Sequence, residues 1–371
     1  MLEKSNIARM SSVALPTEIA SLLRSAGLLV SDHPATRPLG GGVSCDIVLI
    51  EDGDRRLVVK RALEKLRVKD DWFADTVRNH FEQAYMRYAG DIAPGSVPRI
   101  LYADADRNFF AMEFFGDDWV NWKVELLAGR VDRRYARKAG ETLAAIHRAS
   151  WGDAGLRQQF ATTPNFFKLR LEPYLLTAGR RNPALESHFI EEAERLAGAS
   201  TALVHGDFSP KNILLHSASE RIAILDCEVA WFGDPAFDIE FFLNHLLLKA
   251  LFRPALQQDY LSLGSAFMDA YRTGLGGRWS SQLETRTTRL LLMLLLARVD
   301  GKSPVEYLAG HAEKQQMIRD FVARELPSPP ISIAALFARW AAALSCQSAG
   351  PSDGWPGSPA VVSESRLTPG R

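Results

Sequence analysis

The stretch LVHGDFSPKNILLH, residues 203–216, places His205, Asp207, Lys211 and Asn212 between two apolar runs, and it constrains the fold more than any other part of the chain. The runs NILLH and RIAILDCEVAW are separated by only SASE, which reads as a hairpin of two short strands. The loop from His205 to Asn212 then leads into the first strand, and Asp226 stands at the end of the second. That layout brings Asp207, Asn212 and Asp226 within reach of one point. A polar loop between buried strands is either a solvated connection or a site, and the residue types here favour a site.

Asp and Asn oxygens are hard donors, and Mg²⁺ is usually held by one or two carboxylates together with substrate phosphates. One carboxylate is then left without a metal role. Phosphoryl transfer uses that set: a carboxylate that orients an acceptor hydroxyl, and an Asn and an Asp that hold the metal bridging the phosphates. In the kinase catalytic loop the Asp is followed after four residues by Asn, and Asp207 and Asn212 keep that spacing.

At 371 residues the chain exceeds what a single core serves, so two lobes are expected. Lys plus Arg and Asp plus Glu number 44 each, which removes the basic footprint of a nucleic-acid binder. The three cysteines, Cys45, Cys227 and Cys346, share no metal-ligand spacing, and a reducing compartment suits them. MLEKSNIARMSSVALPTEIA mixes charge and polarity where a secretory signal needs an apolar core, and LLLMLLLA is too short to span a bilayer. The expected setting is the cytoplasm, with neither membrane nor nucleic acid as partner.

Residues 1–30 carry one helix signal, with Pro16 in its first turn, Ile19, Leu22 and Leu23 on one stripe and Gly27 as its stop. SCDIVLIEDGDRRLVVKRAL reads as two strands about an Asp52-Gly53 turn, DWFADTVRNHFEQAYMRYAG as a helix closing at Gly90, and PRILYADADRNFFAMEFF as two further strands. Residues 31–115 thus form a small β-rich lobe crossed by one helix. From 116 to 344 the helical period dominates, with DRRYARKAGETLAAIHRAS amphipathic and the segments 239–248 and TRTTRLLLMLLLARVD strongly apolar. Residues 345–371, rich in Pro, Gly and Ser, read as a disordered tail.

HGDFSPKN followed by ILDCEVAWFGDPAFDIEFF resembles the aminoglycoside phosphotransferase and choline kinase superfamily, relatives of the protein kinases that act on small molecules. The resemblance runs from about residue 37 to 343, and Asp226-Cys227-Glu228, where protein kinases have Asp-Phe-Gly, brings the chain nearest to the methylthioribose kinase branch. It implies an α+β, two-lobed kinase-like fold with ATP in the cleft and Mg²⁺ below it. Asp207 would be the catalytic base, and Asn212, Asp226 and Glu228 would hold the metal.

For the nucleotide, PLGGGVSCDIVLI resembles the family's phosphate-covering loop, with Gly40, Gly41, Gly42 and Ser44 against the phosphates. Lys60 stands where the family places its phosphate-binding lysine, with Glu82 as its expected partner and Glu64 and Glu51 as alternatives. Glu113 and Phe114 occupy the hinge and would present backbone to adenine, behind Met112. His205 reads as a structural member of the loop. Lys211 either faces the transferred phosphate or is solvated, and Asp238 caps its helix or ties it to the loop.

Gly206 replaces the protein-kinase Arg, and the chain runs almost directly from Glu228 to FGDPAFDIEFF, leaving little room for an activation segment. A small hydroxylated acceptor is therefore expected: a sugar, an amino alcohol or a methylthioribose-like compound. Residues 241–344 hold 12 Lys and Arg against eight Asp and Glu, which leans away from a polycationic aminoglycoside. Arg298 and Asp300 either reach toward the acceptor or simply end a helix. The rival readings are a catalytically silent nucleotide- or metabolite-binding protein and an aminoglycoside-modifying resistance kinase.

Overall fold

The computed structural model describes residues 15–40, 45–63, 65 and 75–348. Its first part is helix α1 (Thr17–Ser25), strands β1 (Ala35–Pro38), β2 (Cys45–Asp52) and β3 (Arg55–Ala62), helix α2 (Arg78–Ile92), and strands β4 (Ile100–Asp104) and β5 (Phe109–Glu113). The strands form one antiparallel sheet in the order β1-β2-β3-β5-β4. Asp52 pairs with Arg55 across the expected turn, where Gly53 adopts φ +61°.

Alternation divides β2 and β3 between two layers. Val48, Ile50, Leu57 and Val59 meet Ile19, Leu23 and Leu29 beside α1, whereas Leu49 and Val58 join Tyr85 and Met86 of α2 in the main core. The N-terminal helix therefore packs on one face of the sheet. Helix α2 runs through Gly90 to Ile92, past its expected stop, with Gly90 lying against Val97.

The second part opens with β6 (Trp119–Asn121), α3 (Trp122–Leu127), α4 (Arg133–Ser150) and α5 (Ala154–Gln159). Next, α6 (Thr163–Phe166) passes through a π-helical stretch, Phe167–Leu176, into α7 (Thr177–Arg181), followed by α8 (Glu186–Ala197). The π-helical stretch contains Pro173, which cannot supply an α-helical N–H. Strands β7 (Ala202–Val204), β8 (Ile213–His216), β9 (Ile222–Ile224) and β10 (Trp231–Gly233) frame the polar loop. β8 and β9 pair as the expected hairpin with β6 on the outer edge, but WFG leaves it to pair with β7.

Helices α9 (Ala236–Phe252), α10 (Gln257–Leu275), α11 (Ser281–Asp300), α12 (Ala312–Glu325) and α13 (Ile333–Ser348) complete the helical lobe. Helix α13 continues past residue 344, and residues 349–371 lie outside the described residues. Every residue of α9 except Phe252 is buried, so its polar side chains Asp238, Glu240, Asn244, His245 and Lys249 must lie inside the lobe. Its apolar character around the whole circumference explains this position. Among the described residues, no helix is long and apolar enough to cross a membrane.

Candidate active site

The loop after β7 is built from backbone restraints. Gly206 has φ +77°, and a Cβ there would stand 2.6 Å from the Val229 carbonyl oxygen, so no other residue fits without displacement. The N–H groups of His205 and Gly206 donate to Asp238 Oδ2 and Oδ1 at 2.7 and 2.9 Å. His147 Nε2 reaches the same carboxylate at 3.2 Å, and its Nδ1 meets Tyr271 OH at 2.8 Å. Asp238 thus ties α9 to the loop.

His205 is structural, as its sequence context suggests. Its Nδ1 accepts from Asp207 N–H at 3.1 Å and its Nε2 lies 3.1 Å from the Leu225 carbonyl, which fixes the Nε2–H tautomer. Burial holds its pKa below the ordinary value, favouring the neutral ring that accepts this bond.

The hairpin then delivers Asn212 and Asp226 to the same place. Asn212 Nδ2 donates to the Asp207 carbonyl at 3.0 Å, and Leu225 N–H donates to the Asn212 carbonyl at 2.8 Å. Asp226 follows β9 with φ +62°, an uncommon conformation for a residue with a side chain and one that recurs at functional positions. It marks the point where the strand ends and the carboxylate turns into the cleft.

Asp226 Oδ1 lies 2.6 Å from Lys60 Nζ, and the same ammonium stands 2.7 Å from Glu82 Oε1. Lys60 and Glu82 are fully buried, while the Asp226 side chain is 33% exposed. Burial alone would lower the Lys60 pKa, but Asp226 and Glu82 outweigh it and hold the ammonium charged. Asp226 lies below its ordinary range because Lys60 and Lys211 overcome its own desolvation. Burial pushes Glu82 up to about 7, since one ammonium shared between two carboxylates offsets only part of the cost.

Asp207 is clamped from one side. Its Oδ2 receives Arg170 at 3.0 Å and Lys211 at 2.9 Å, while Arg170 Nε also donates to the Gly206 carbonyl at 2.5 Å. Its Oδ1 is buried with no partner among the described residues. A buried acceptor without a donor is costly, and a substrate hydroxyl is a group that would satisfy it.

Glu228 Oε2 accepts from Arg78 Nε at 2.9 Å and lies 3.5 Å from Cys45 Sγ. Arg78 also donates to the carbonyls of Leu63 and Asp75, which binds the segment after Asp226 to the first lobe. Cys227 lies beyond β9, where its Sγ faces the Glu82 carbonyl at 3.6 Å, rather than on a strand. Glu113 donates its N–H to the Arg99 carbonyl at 2.9 Å, so that N–H is already engaged at the hinge; Phe114 lies beneath the Arg56 guanidinium. Gly40 is exposed, and Gly41, Gly42, Ser44 and Glu64 lie outside the described residues.

Sequence reasoning missed Arg78 and Arg170. Arg78 lies four residues before Glu82, hence on the same helical face, and that spacing was the available signal. Arg170 had none, because its position depends on the π-helical stretch. Asp300 pairs with Arg319 at 2.8 Å and accepts from Asn182, so it serves helix packing.

The sheet lobe, helical lobe and loop together define a two-lobed α+β kinase-like fold. The chain belongs to the phosphotransferase enzyme family, whose model matches residues 35–272. A methylthioribose kinase of Bacillus velezensis is 26% identical over 63% of this chain and 66% of its own length. A probable acyl-CoA dehydrogenase of Arabidopsis thaliana is 24% identical over 48% of this chain, which spans only 24% of that relative. The crystal structure of an aminoglycoside phosphotransferase from Alicyclobacillus acidocaldarius superposes with TM-score 0.51 at 13% identity, covering 92% of this chain and 98% of that one. That likeness concerns the fold.

Proposed function

We propose that this protein is an ATP- and Mg²⁺-dependent kinase of a small-molecule alcohol, with Asp207 as the base. The observation that carries the reading is the convergence of two independent units: the buried Lys60–Glu82 pair reaching Asp226, and the Asp207 carboxylate with one oxygen clamped and the other open. The first suits nucleotide phosphates and the second suits a hydroxyl.

In this reading the hydroxyl of the acceptor donates to Asp207 Oδ1, while Arg170 and Lys211 hold Oδ2 and fix the direction of the carboxylate. The proton passes to Asp207 as the oxygen attacks the γ-phosphorus, the bond from that phosphorus to the β–γ bridging oxygen breaks, and ADP leaves. Lys60, held charged by its two carboxylates, positions the α and β phosphates, and Lys211, paired with Asp207, stands where its charge would stabilise the group in transit to the acceptor oxygen.

The donor set fits a hard cation: Asp226 offers Oδ2, and the Asn212 amide points its nitrogen at Asp207, leaving its oxygen for a metal. Glu228 has its Oε2 committed to Arg78 and only Oε1 remaining. Mg²⁺ at these oxygens would neutralise phosphate charge. The buried thiols Cys45 and Cys227, neither in a disulfide, suit the reducing, ATP-supplied cytoplasm.

The family and the kinase relatives support the reaction class, and the intact Lys60–Glu82–Asp226 cluster speaks against a silent binding protein. Asp207→Asn is expected to lower kcat by about 10²–10⁴-fold while ATP binding persists. ADP formation followed by coupled NADH oxidation, with ATP affinity from titration calorimetry, tests this. Full turnover in the purified variant would refute the mechanism.

A further inference from the structure

The polar side chains inside α9 continue the Asp207 site toward α11. Arg170 lies 5.7 Å from the centres of the Tyr174 and Phe241 rings, and Arg298 lies 5.5 Å from the same Tyr174 ring. Arg298 Nη1 also donates to Tyr174 OH at 3.1 Å and to the Ser303 carbonyl at 2.5 Å. Phe241 packs edge-on against His245, and Lys249, one turn further, reaches the His245 carbonyl at 3.3 Å and faces the Tyr307 ring at 5.2 Å. The path from Asp207 through Tyr174 and Phe241 to Lys249 is unbroken.

Its charge is one-sided. Arg298 and Lys249 are buried, and among the described residues neither has a carboxylate within ion-pair distance. Their partners are neutral oxygens and aromatic faces. Arg298 Nε, His245 Nε2 and Tyr307 OH are buried without any partner among the described residues. Two acids lie nearby. Glu306 is paired with Lys123 at the partly exposed rim, and Glu240 has both carboxylate oxygens buried without a hydrogen-bond partner among the described residues, with burial pushing its pKa well above the carboxylate range. Buried cations without counter-charge are strongly unfavourable, so their grouping along and beside the helix that anchors the Asp207 loop calls for an anion that arrives with the substrate. Desolvation also lowers the Lys249 ammonium to about 7, and an incoming anion would restore its charge.

We propose that the acceptor carries an acidic group, a carboxylate or a phosphate, which Arg298, His245 and Lys249 bind while its hydroxyl meets Asp207. This deepens the kinase reading and rests on it. A neutral sugar would leave the cations uncompensated, and an amino alcohol or aminoglycoside would be repelled by them.

The test is an ADP-release screen across four acceptor classes: hydroxy carboxylates, phosphorylated alcohols, neutral sugars including methylthioribose, and amino alcohols including aminoglycosides. Turnover is expected in one of the first two classes, and which of them responds identifies the acid. Arg298→Met and Lys249→Met should raise the acceptor KM by at least about tenfold, with a smaller effect on kcat, and Arg298→Lys should recover part of the loss. Lys249→Met removes a charge that has no counter-ion, so it is expected to fold with a Tm no lower than wild type.

Sulfate titrated calorimetrically into the ADP-bound protein probes the anion site without turnover. Wild type should bind one equivalent, and Lys249→Met should bind it at least about tenfold more weakly. Highest kcat/KM on a neutral or cationic acceptor, or sulfate binding that is absent or unaltered by the substitution, would overturn the proposal. Failure to bind ATP or to release ADP with any class would instead count against the kinase reading, and the sulfate titration would still decide the anion site.

Discussion

Removing the Asp238 carboxylate isolates what holds the loop that bears Asp207. In Asp238→Ala the N–H groups of His205 and Gly206 lose their acceptors at 2.7 and 2.9 Å, and His147 loses its partner. Both residues and Asp238 itself are buried, so water does not replace the bonds without rearrangement. Each unsatisfied buried donor costs about 1–3 kcal/mol, and bonds to a charged acceptor lie toward the upper part of that range. The expected loss is therefore about 3–6 kcal/mol, a large share of the roughly 5–15 kcal/mol that holds an ordinary domain.

Asp238→Asn retains one accepting oxygen but turns an NH₂ toward the second N–H, so a smaller loss is expected. Urea unfolding followed by circular dichroism measures the stability, and ADP release measures kcat. Because the Asp238 carboxylate bonds His147, His205 and Gly206 and none of Lys60, Glu82 or Asp226, kcat should fall more than the KM for ATP rises. A stability within about 1 kcal/mol of wild type for Asp238→Ala would refute the clamp.

Gly206→Ala places a Cβ against the Val229 carbonyl in a left-handed conformation that costs about 1–2 kcal/mol before any overlap, so reduced Tm and kcat are expected together. Lys60→Met leaves Glu82 and Asp226 facing each other without a cation, and titration calorimetry should show ATP affinity reduced by about tenfold or more. Glu82, raised to about 7, takes up its proton more readily when folded, so it contributes a stability that is present below about pH 4.5 and lost as pH rises to 7. Glu82→Gln should remove that fall, read as the difference between the two proteins' urea midpoints at pH 5 and pH 7.5. Lys249 acts in the opposite sense above it: with its pKa lowered to about 7, the folded state resists protonation and stability rises from pH 7 toward 10.5, a rise that Lys249→Met should abolish.

The parts of the fold governed by local pattern were legible in the sequence. The Asp52-Gly53 turn, the β8–β9 hairpin and the apolar segments of α9 and α11 follow from turn chemistry and periodicity. The Lys60–Glu82 pair was legible only through the family resemblance, which left Glu64 and Glu51 as alternatives, because 22 residues separate its members. The departure of Trp231–Gly233 to pair with β7 was not, since strand partners of three residues carry almost no pattern. Arg170 was hidden because the π-helical register around Pro173 decides where its guanidinium goes. The anion-binding face was hidden for a different reason. His245 and Lys249 sit in a helix whose every side is apolar, where periodicity offers no face to assign them to.

Helix α9 also has a metrical consequence. Asp238 in its first turn fixes the loop that bears Asp207, and Lys249 in its last turn belongs to the cationic cluster. At about 1.5 Å rise per residue, the two anchors are separated by roughly 16 Å of one continuous, buried helix. In the proposed site, the loop that would present the hydroxyl and the lysine that would meet the acid are thereby spaced by a rod rather than by a loop. Acceptors shorter or longer by a few carbons should then be discriminated as well as acceptors of the wrong charge.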